Sequence, residues 1–256
     1  MVFKPLERNN IKVYTSLNHK KKLIIFFPSA ATSYDDYKNF MDNITASVDF
    51  VYVSKGYNGL ITNDKSYKPF EYEEFTRIFI NSFKSLMNNY EKVILLGQSF
   101  GSCVAYEIFK STKNAKLILV APAFSEKSFK YGKVGKIFLD LMTDTFWGKK
   151  ITNFLEPSFL RLCNKLRLNS SQQLFVKALR RSGTINYFSC LRETLRYGLI
   201  DKDILSEDVI MVFGKRDPFL NNFFNQVNFH KRKNSYFLDH GHTILQKEWK
   251  FILKFI

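Results

Sequence analysis

Residues 93–101 read Val-Ile-Leu-Leu-Gly-Gln-Ser-Phe-Gly, an apolar run that ends in the pattern Gly-x-Ser-x-Gly. A helical pattern follows from Ser102 onward. A serine on a sharp strand-to-helix turn presents its hydroxyl outward above a helix N-terminus, and the flanking glycines relieve the crowding of such a turn. A surface loop can carry the same five residues, but the strand before and the helix after favour a nucleophile at Ser99.

Other apolar runs indicate strands that are covered on both faces, because they are nearly continuous and do not alternate with polar residues. They are Leu23–Phe27, Phe50–Val53, Val93–Leu96, Leu117–Val120, Val209–Phe213 and the short Tyr236–Leu238. The weaker run Ile11–Thr15 predicts an antiparallel edge strand. Helical patterns lie between the strands, at 34–44, 71–90, 102–110 and 248–256. The alternation predicts an α/β fold, a mostly parallel, twisted sheet with helices on both faces.

One long stretch interrupts this alternation. From Pro122 to Tyr197 the sequence has helical patterns and no convincing strand, and these patterns cover 134–142, 154–168, 174–179 and 185–196. A stretch of about 75 residues is far longer than an ordinary loop and should be structured. We therefore predict a core of residues 1–121 and 198–256 that carries a helical cap, or lid, formed by residues 122–197. For part of the stretch, an ordinary extra pair of packing helices is the alternative.

The chain of 256 residues is strongly basic, with a formal net charge of +16, and 45% of its residues are hydrophobic. This length and composition fit one globular α/β domain. Residues 122–200 hold fourteen Lys/Arg against five Asp/Glu, a net of +9. Such a charge suggests anionic partners, with a solvated lysine-rich surface as the alternative.

The cysteines Cys103, Cys163 and Cys190 have no metal-ligand or Cys-x-x-Cys spacing. Buried thiols in a reducing compartment are the simplest interpretation. The N-terminus shows no signal-peptide pattern, and no stretch has the apolar length of a membrane span. We expect a cytoplasmic protein.

A serine hydroxyl needs a base, and the chain has four histidines. His242 follows the last strand and precedes the final helix, so its loop can reach the sheet edge where Ser99 would lie. His240, two residues earlier, is its rival. His19 and His230 lie in basic stretches and are expected at the surface.

The base in turn needs an acid that holds its tautomer and stabilises the imidazolium. Asp217 is the candidate, because it follows the strand 209–213 after a turn at Gly214. The alternative is a structural one, in which the Asp217-Pro218 pair caps a helix over 219–227. Together with Ser99 and His242, the catalytic role is favoured.

With these three motifs the chain resembles the α/β-hydrolase superfamily over nearly its whole length. Ser99, Asp217 and His242 occur in the superfamily's chain order. The resemblance implies an oxyanion hole made by the backbone N–H groups of Phe100 and Ala30, with Ala31 as another register. Relatives usually have His-Gly where this chain has Pro28-Ser29. The resemblance implies acyl transfer through an acyl-enzyme, with no metal or organic cofactor.

The resemblance leaves the substrate open, since one fold hosts many reactions. A hydrolase of apolar acyl esters or thioesters ranks first. A thioesterase that meets an acidic acyl-carrier protein, a lipase resting on an anionic lipid surface, and a ligand-binding protein without catalysis are the alternatives. Nucleic acid is not expected as a partner, because no binding motif accompanies the charge.

Overall fold

The structure is a computed structural model that describes residues 3–9, 11–30, 32–45, 47–55, 72–123, 126–130, 132–166, 172–173, 176–177, 179–180, 183–197 and 209–256. Its strands are β1 Lys4–Arg8, β2 Ile11–Ser16, β3 Lys22–Phe27, β4 Asp49–Lys55, β5 Lys92–Gln98, β6 Ala115–Val120, β7 Val209–Gly214 and β8 Ser235–Leu238. Its helices are α1 Lys38–Ile44, α2 Tyr72–Asn88, α3 Phe100–Lys110, α4 Gly132–Asp144, α5 Phe146–Lys165, α6 Thr184–Arg196, α7 Asn222–Phe229, α8 Ile244–Lys247 and α9 Trp249–Ile252.

The strands form one eight-stranded sheet in the order β1-β2-β4-β3-β5-β6-β7-β8. β1, β2 and β4 pair antiparallel in that order, and every pair from β4 through β3 to β8 is parallel. The predicted α/β class with a mostly parallel sheet is therefore confirmed. In a parallel sheet the carboxyl ends of the strands share one edge, so the residues after β3, β5, β7 and β8 lie along the same rim.

The continuous apolar runs are explained by two separate cores, one on each face of the sheet. Along β3, Leu23 and Ile25 face one core, whereas Ile24 and Phe26 face the other. Helices α2 and α3 cover the first face, and α1 and α8 cover the second. Burial on both faces leaves no position for a polar residue in the strand interior, as the runs predicted.

The prediction of an edge strand at Ile11–Thr15 is wrong in its position. That run forms β2, which is antiparallel but lies inside the sheet between β1 and β4. The edge is β1, Lys-Pro-Leu-Glu-Arg, most of whose side chains are exposed. Its polar sequence hides it from a search for apolar runs, and its Pro5 is tolerated because an edge strand need not donate on both sides.

Some helix boundaries also differ from the predicted ones. The segment after β3 begins as a 3-10 turn at Tyr34–Tyr37 before α1. Helix α5 begins eight residues before the predicted Phe154, because the Thr145 side chain accepts the Gly148 N–H at 2.9 Å and caps the helix there. The predicted helix 219–227 begins only at Asn222. The predicted helix 174–179 lies largely outside the described residues.

Helices α4, α5 and α6, which we call the inserted helices, lie between β6 and β7 in the chain and pack against one another. α6 also contacts α3, the helix that follows Ser99. Arg196 links α6 to α4 through Asp140, with a 2.6 Å contact between Nη2 and Oδ1. The described part of the stretch without predicted strands is thus mostly helical, apart from short connections and an isolated bridge at Phe129.

Candidate active site

Ser99 occupies a strained turn between β5 and α3. Its φ of 53° and ψ of −120° are a conformation that costs a non-glycine residue about 1–3 kcal/mol. The turn is held by two backbone hydrogen bonds: the Ser99 N–H donates to Val120 O at 2.9 Å, and the Ser102 N–H donates to Ser99 O at 2.9 Å. The Ser99 hydroxyl does not cap the helix and the residue is half-buried, so the hydroxyl stays available for chemistry.

The two glycines of the motif are required by close packing. A Cβ atom on Gly97 would lie 2.5 Å from Gly101 O, inside the turn itself. A Cβ atom on Gly101 would collide with the carbonyl oxygens of Phe27 and Pro28. Gly101 therefore lets the loop after β3 press against the N-terminus of α3.

That loop, Pro28–Thr32, is anchored by a small set of buried hydrogen bonds. The Ser29 N–H donates to the Tyr37 hydroxyl oxygen at 3.2 Å, and the Thr32 hydroxyl donates to Ser29 O at 2.6 Å. The Tyr37 hydroxyl donates to Thr32 Oγ1 at 3.3 Å. Ala30, the predicted donor, is buried within this loop, whereas its alternative Ala31 lies outside the described residues.

Asp217 and His242, 25 residues apart in sequence, are brought into direct contact. The His242 Nδ1 and Asp217 Oδ2 atoms are 2.6 Å apart, and both side chains are almost fully buried. Because a carboxylate accepts, Nδ1 carries a proton and donates, so Nε2 is the nitrogen that can accept or release a second proton. The other oxygen, Oδ1, accepts the N–H groups of Phe219 at 2.9 Å and Leu220 at 3.2 Å.

These contacts also set the charge of Asp217. Burial alone would raise the pKa of the carboxyl, but the His242 charge and the hydrogen bonds from His242, Phe219 and Leu220 outweigh burial and hold the pKa below its usual value. Asp217 is therefore ionised at neutral pH, as an acid that orients an imidazole must be. The same two amide contacts explain the late start of α7, since residues 217–221 form a turn around this carboxylate.

The loop after β8 is folded back over the end of β7. The Lys215 N–H donates to Leu238 O at 2.8 Å, and the Arg216 N–H donates to His240 O at 2.9 Å. Gly214 is required here, because a Cβ atom would lie 2.5 Å from His240 O and 2.6 Å from Gly241 O. This packing carries His242 from the far end of the sheet back toward its middle.

A side chain next to Ser99 links the two loops. Two strands separate β5 from β8, so their ends lie about 14 Å apart at about 4.8 Å per strand. The fully buried Gln98, which precedes Ser99, donates from Nε2 to His242 O at 3.1 Å. Its Nε2 also lies 3.3 Å from Gln246 Oε1. The histidine loop is therefore tied to the backbone of the serine turn.

The remaining histidines have other surroundings. His240 is half-buried, and its Nδ1 lies 3.4 Å from Gly241 O. His19 and His230 are exposed, and the His230 ring stacks on Phe237 at 5.8 Å. Of the rivals weighed from sequence, His242 is the one that the structure joins to Asp217.

Aromatic rings pack beside two residues of the site. The Phe219 ring meets the His242 ring edge-on at 5.1 Å between centroids. Tyr72 packs against Phe100, the residue after Ser99, at 5.6 Å and against Tyr197, at the end of α6, at 4.4 Å. A strand-like bridge joins Phe129 to Leu220, and the Lys130 N–H donates to Phe219 O at 3.0 Å. The segment before the inserted helices is thus fastened to the loop that holds Asp217.

The three cysteines are free and buried. Burial raises the pKa of the Cys103 thiol, and its Sγ lies 3.1 Å from Ala123 O. The Cys103 thiol is therefore unsuited to nucleophilic attack. Among the residues that the structure describes, no group of three or more His, Cys, Asp or Glu side chains could hold a metal ion, and no helix is long and apolar enough to cross a membrane.

Gln98, Tyr37 and Thr32 take part in the site but were not predicted from the sequence. Gln98 carries a usable signal, since it is a polar residue at the end of a strand that is otherwise apolar. Tyr37 and Thr32 carry none, because their hydrogen bonds depend on how the loop after β3 folds back onto the 3-10 turn.

No family model matches the chain, and no curated protein matches it in sequence. Solved structures do match it. The esterase from Exiguobacterium antarcticum has 18% identity and a TM-score of 0.65, covering 96% of this chain and 95% of that one. MenH from S. aureus has 16% identity and a TM-score of 0.63, covering 97% and 98%. The N-acyl homoserine lactonase AidH, complexed with N-butanoyl homoserine, has 13% identity and a TM-score of 0.64, covering 100% and 95%. These similarities confirm the α/β-hydrolase fold.

Proposed function

Starting from the α/β-hydrolase fold, we propose that this protein is a serine hydrolase that cleaves carboxylic ester or thioester bonds of an apolar acyl substrate through an acyl-enzyme. The observation that carries the proposal is the 2.6 Å contact between His242 Nδ1 and Asp217 Oδ2, on a loop tied by Gln98 to the strained Ser99 turn. The esterase and the lactonase among the similar structures are consistent with it.

In the proposed reaction His242 Nε2 takes the Ser99 hydroxyl proton as Oγ attacks the substrate carbonyl carbon. The carbonyl electron pair moves to oxygen, which the backbone N–H groups of Phe100 and Ala30 stabilise. Each such donor is typically worth about 3 kcal/mol in the transition state. The tetrahedral intermediate then collapses, and His242 returns the proton to the leaving alcohol or thiol.

Water completes the cycle by the same path in reverse. His242 takes a proton from the water, the hydroxide attacks the acyl carbon, and the Ser99–acyl bond breaks as Oγ regains its proton. Asp217 stays ionised throughout and stabilises the imidazolium that forms in each half-reaction. No metal or organic cofactor is needed for these steps.

The surroundings of the site support an apolar acyl group. Phe219 packs against the His242 ring, and the Tyr72 ring contacts both Phe100, which follows Ser99, and Tyr197, at the end of α6. Because the inserted helices meet the core at these rings, we infer that residues 122–197 act as a cap over a core of 1–121 and 198–256. The cap then contributes the wall that selects the acyl chain.

A fluorophosphonate probe tests the nucleophile. We expect Ser99 Oγ of the wild-type protein to displace fluoride and gain the mass of the phosphonyl group, and Ser99→Ala to gain none. His242→Ala should abolish turnover of p-nitrophenyl acyl esters, whereas the matched variant His240→Ala should retain most of it. Unlabelled, well-folded wild-type protein would instead indicate a ligand-binding protein on a hydrolase fold.

A panel of esters and thioesters, graded by acyl length, tests the substrate class. We expect kcat/KM to rise with acyl length, so that long-chain substrates are cleaved more efficiently than acetyl esters. A thioester on an acidic acyl-carrier protein belongs in the same panel. If Lys/Arg-to-Glu changes on the inserted helices raise KM for the carrier substrate and not for a small ester, the thioesterase alternative is favoured.

A further inference from the structure

Exposed apolar side chains are concentrated on α4 and α5. Among the described residues, twelve of the fourteen large hydrophobic side chains that are exposed lie between 134 and 166. The most prominent are Phe154, at 81% exposure, and Val134 and Trp147, at 71% and 70%. Single exposed apolar residues are normal on a soluble protein, but a cluster of this size marks an interaction surface.

These side chains form a face, because they recur at helical spacing. On α4 they are Val134, Ile137, Phe138 and Leu141, and on α5 they include Trp147, Ile151, Phe154, Leu155 and Leu162. The opposite sides of the helices carry the buried contacts, and those of α5 are Gly148, Thr152 and Cys163. Helix α5 thus buries small residues and presents large ones outward, the reverse of an ordinary core helix. We call this surface the α4–α5 face.

Basic side chains border the α4–α5 face. Helix α5 carries Lys149, Lys150, Arg161 and Lys165 against a single acid, Glu156, a net of +3. That acid is engaged internally, where its Oε2 accepts the Thr184 N–H at 2.8 Å. The Lys150 ammonium lies 4.5 Å from the Phe146 ring centroid and 5.7 Å from that of Trp147.

The acids of α4 are likewise paired within the protein. Asp140 and Asp144 contact Arg196, and Asp144 also contacts Arg192. The outward charge near the α4–α5 face is therefore positive.

We propose that the α4–α5 face docks on an anionic lipid bilayer, with α4 and α5 lying in the interface between headgroups and acyl chains. An amphipathic helix with Trp, Phe and Leu on one side and Lys/Arg beside it is suited to that position. Each basic side chain near an anionic lipid surface adds to the attraction. A second copy of this chain would instead bring the same positive charge, and the two basic surfaces would repel. The negative charge of an acidic protein would complement the basic side chains but would not by itself cover the large aromatic side chains of the α4–α5 face.

The α4–α5 face is connected to the proposed site through the segment before α4. The segment before α4 is bridged to Phe219 and Leu220, which lie beside His242 and Asp217. Binding does not depend on the proposed reaction, so it is measured on Ser99→Ala, whose result stands even if the protein hydrolyses nothing.

Vesicle co-sedimentation is the direct test. We expect Ser99→Ala to pellet with vesicles of two parts phosphatidylcholine to one part phosphatidylglycerol, and much less with phosphatidylcholine alone. Added to Ser99→Ala, the pair Trp147→Ser and Phe154→Ser should weaken binding by roughly tenfold or more, since it removes two large apolar side chains from the interface. Leu17→Ser, an exposed apolar residue remote from this face, is the matched control and should bind normally.

Charge reversal tests how much the basic side chains contribute to vesicle binding. Lys150→Glu with Arg161→Glu should weaken binding to the anionic vesicles, whereas the control Lys20→Glu with Lys21→Glu should change it little.

The chain has two tryptophans, so Trp249→Phe leaves Trp147 as the sole fluorescent reporter of insertion into lipid. Its emission should shift to shorter wavelength with vesicles and should be quenched by brominated acyl chains.

Several results would overturn the proposal. Failure of folded Ser99→Ala to bind anionic vesicles is one, and binding with no change in Trp147 emission is another. If the protein instead forms concentration-dependent dimers, if Phe154→Ser disrupts them, and if no vesicle binding is seen, the α4–α5 face would be assigned to a second copy of the chain. Capture of an acidic acyl-carrier protein that is lost on charge reversal but not on Trp147→Ser would assign it to a protein partner.

Discussion

Two buried aspartates show what separates a structural carboxylate from a candidate catalytic one. Asp49 lies at the amino ends of the parallel strands, and Asp217 lies at their carboxyl ends. Both are nearly inaccessible, at 0% and 4% exposure. Asp49 opens β4 and accepts the Asn18 N–H at 2.7 Å, the Lys20 N–H at 3.3 Å and the Tyr90 hydroxyl at 2.8 Å. All three donors are fixed by the fold, because two are backbone N–H groups and the third is the Tyr90 hydroxyl.

Asp217 shares one feature with Asp49 and differs in another. Its Oδ1 is likewise satisfied by backbone N–H groups, which fix the carboxylate in place. Its Oδ2 instead faces His242, a ring whose other nitrogen can exchange a proton at the carboxyl edge of the sheet. Burial and hydrogen bonding alone therefore do not distinguish the two aspartates, whereas a titratable partner at the carboxyl edge of the sheet makes Asp217 the candidate acid.

The largest expected effect distinguishes the two aspartates directly. Asp217→Asn should lower kcat on acyl esters by about 10,000-fold, because an amide that donates toward Nδ1 favours the wrong imidazole tautomer. Steady-state kinetics on p-nitrophenyl esters measures the loss. Retention of more than a tenth of the wild-type kcat would remove Asp217 from the proposed triad.

Asp49→Asn should show the opposite pattern. Replacing one carboxylate oxygen with an NH2 group leaves a buried donor facing a donor, which should lower the free energy of unfolding by about 1–3 kcal/mol. Urea denaturation measures this loss, and kcat of the folded variant should stay within about twofold of wild type because the reaction never uses Asp49. Tyr90→Phe, which removes one of the three donors, is the milder control.

The tie between the serine turn and the histidine loop gives an intermediate effect. Gln98→Met keeps the approximate volume but cannot donate to His242 O, so kcat should fall roughly tenfold with KM nearly unchanged. Gln246→Ala removes the other Gln98 partner and leaves the bond to His242 intact, and it should have a smaller effect. Equal loss of kcat in both variants would indicate packing and not positioning.

The smallest expected effect is on the pH dependence of stability. Because the pKa of Asp217 is lowered in the folded protein, its ionised form stabilises the fold above the unfolded pKa of about 3.9, and this contribution is lost as the pH falls through the folded pKa. The difference in unfolding free energy between wild type and Asp217→Asn should narrow as the pH falls below about 4. A difference independent of pH would contradict the lowered pKa.

Much of the core fold was predictable from local pattern. Burial on both faces requires continuous apolar strands, so β3 to β8 were each visible as runs in the sequence, and the Gly-x-Ser-x-Gly turn was visible because its glycines have no alternative. β1 escaped prediction because an edge strand needs no apolar run. The early start of α5 depends on the Thr145 cap, which is one side-chain hydrogen bond.

The choice of partners within the candidate site was less predictable. The sequence favoured His242 over His240 from loop context, and the contact with Asp217 depends on the fold of the 239–243 loop over Gly214. The oxyanion donor Ala30 stays a prediction. The exposure of α4 and α5 was not predictable, because the periodicity of apolar residues does not tell whether a face meets the protein or the solvent.

By itself, the order of residues determined the α/β class, the Gly-x-Ser-x-Gly turn and the chemical types available beside it, because backbone sterics and apolar periodicity act over a few neighbours. Only the tertiary structure decided which imidazole meets which carboxylate, what Gln98 holds, and which helices turn their apolar side chains outward. Those outcomes depend on distances between segments far apart in the chain, and packing of the whole sheet sets these distances.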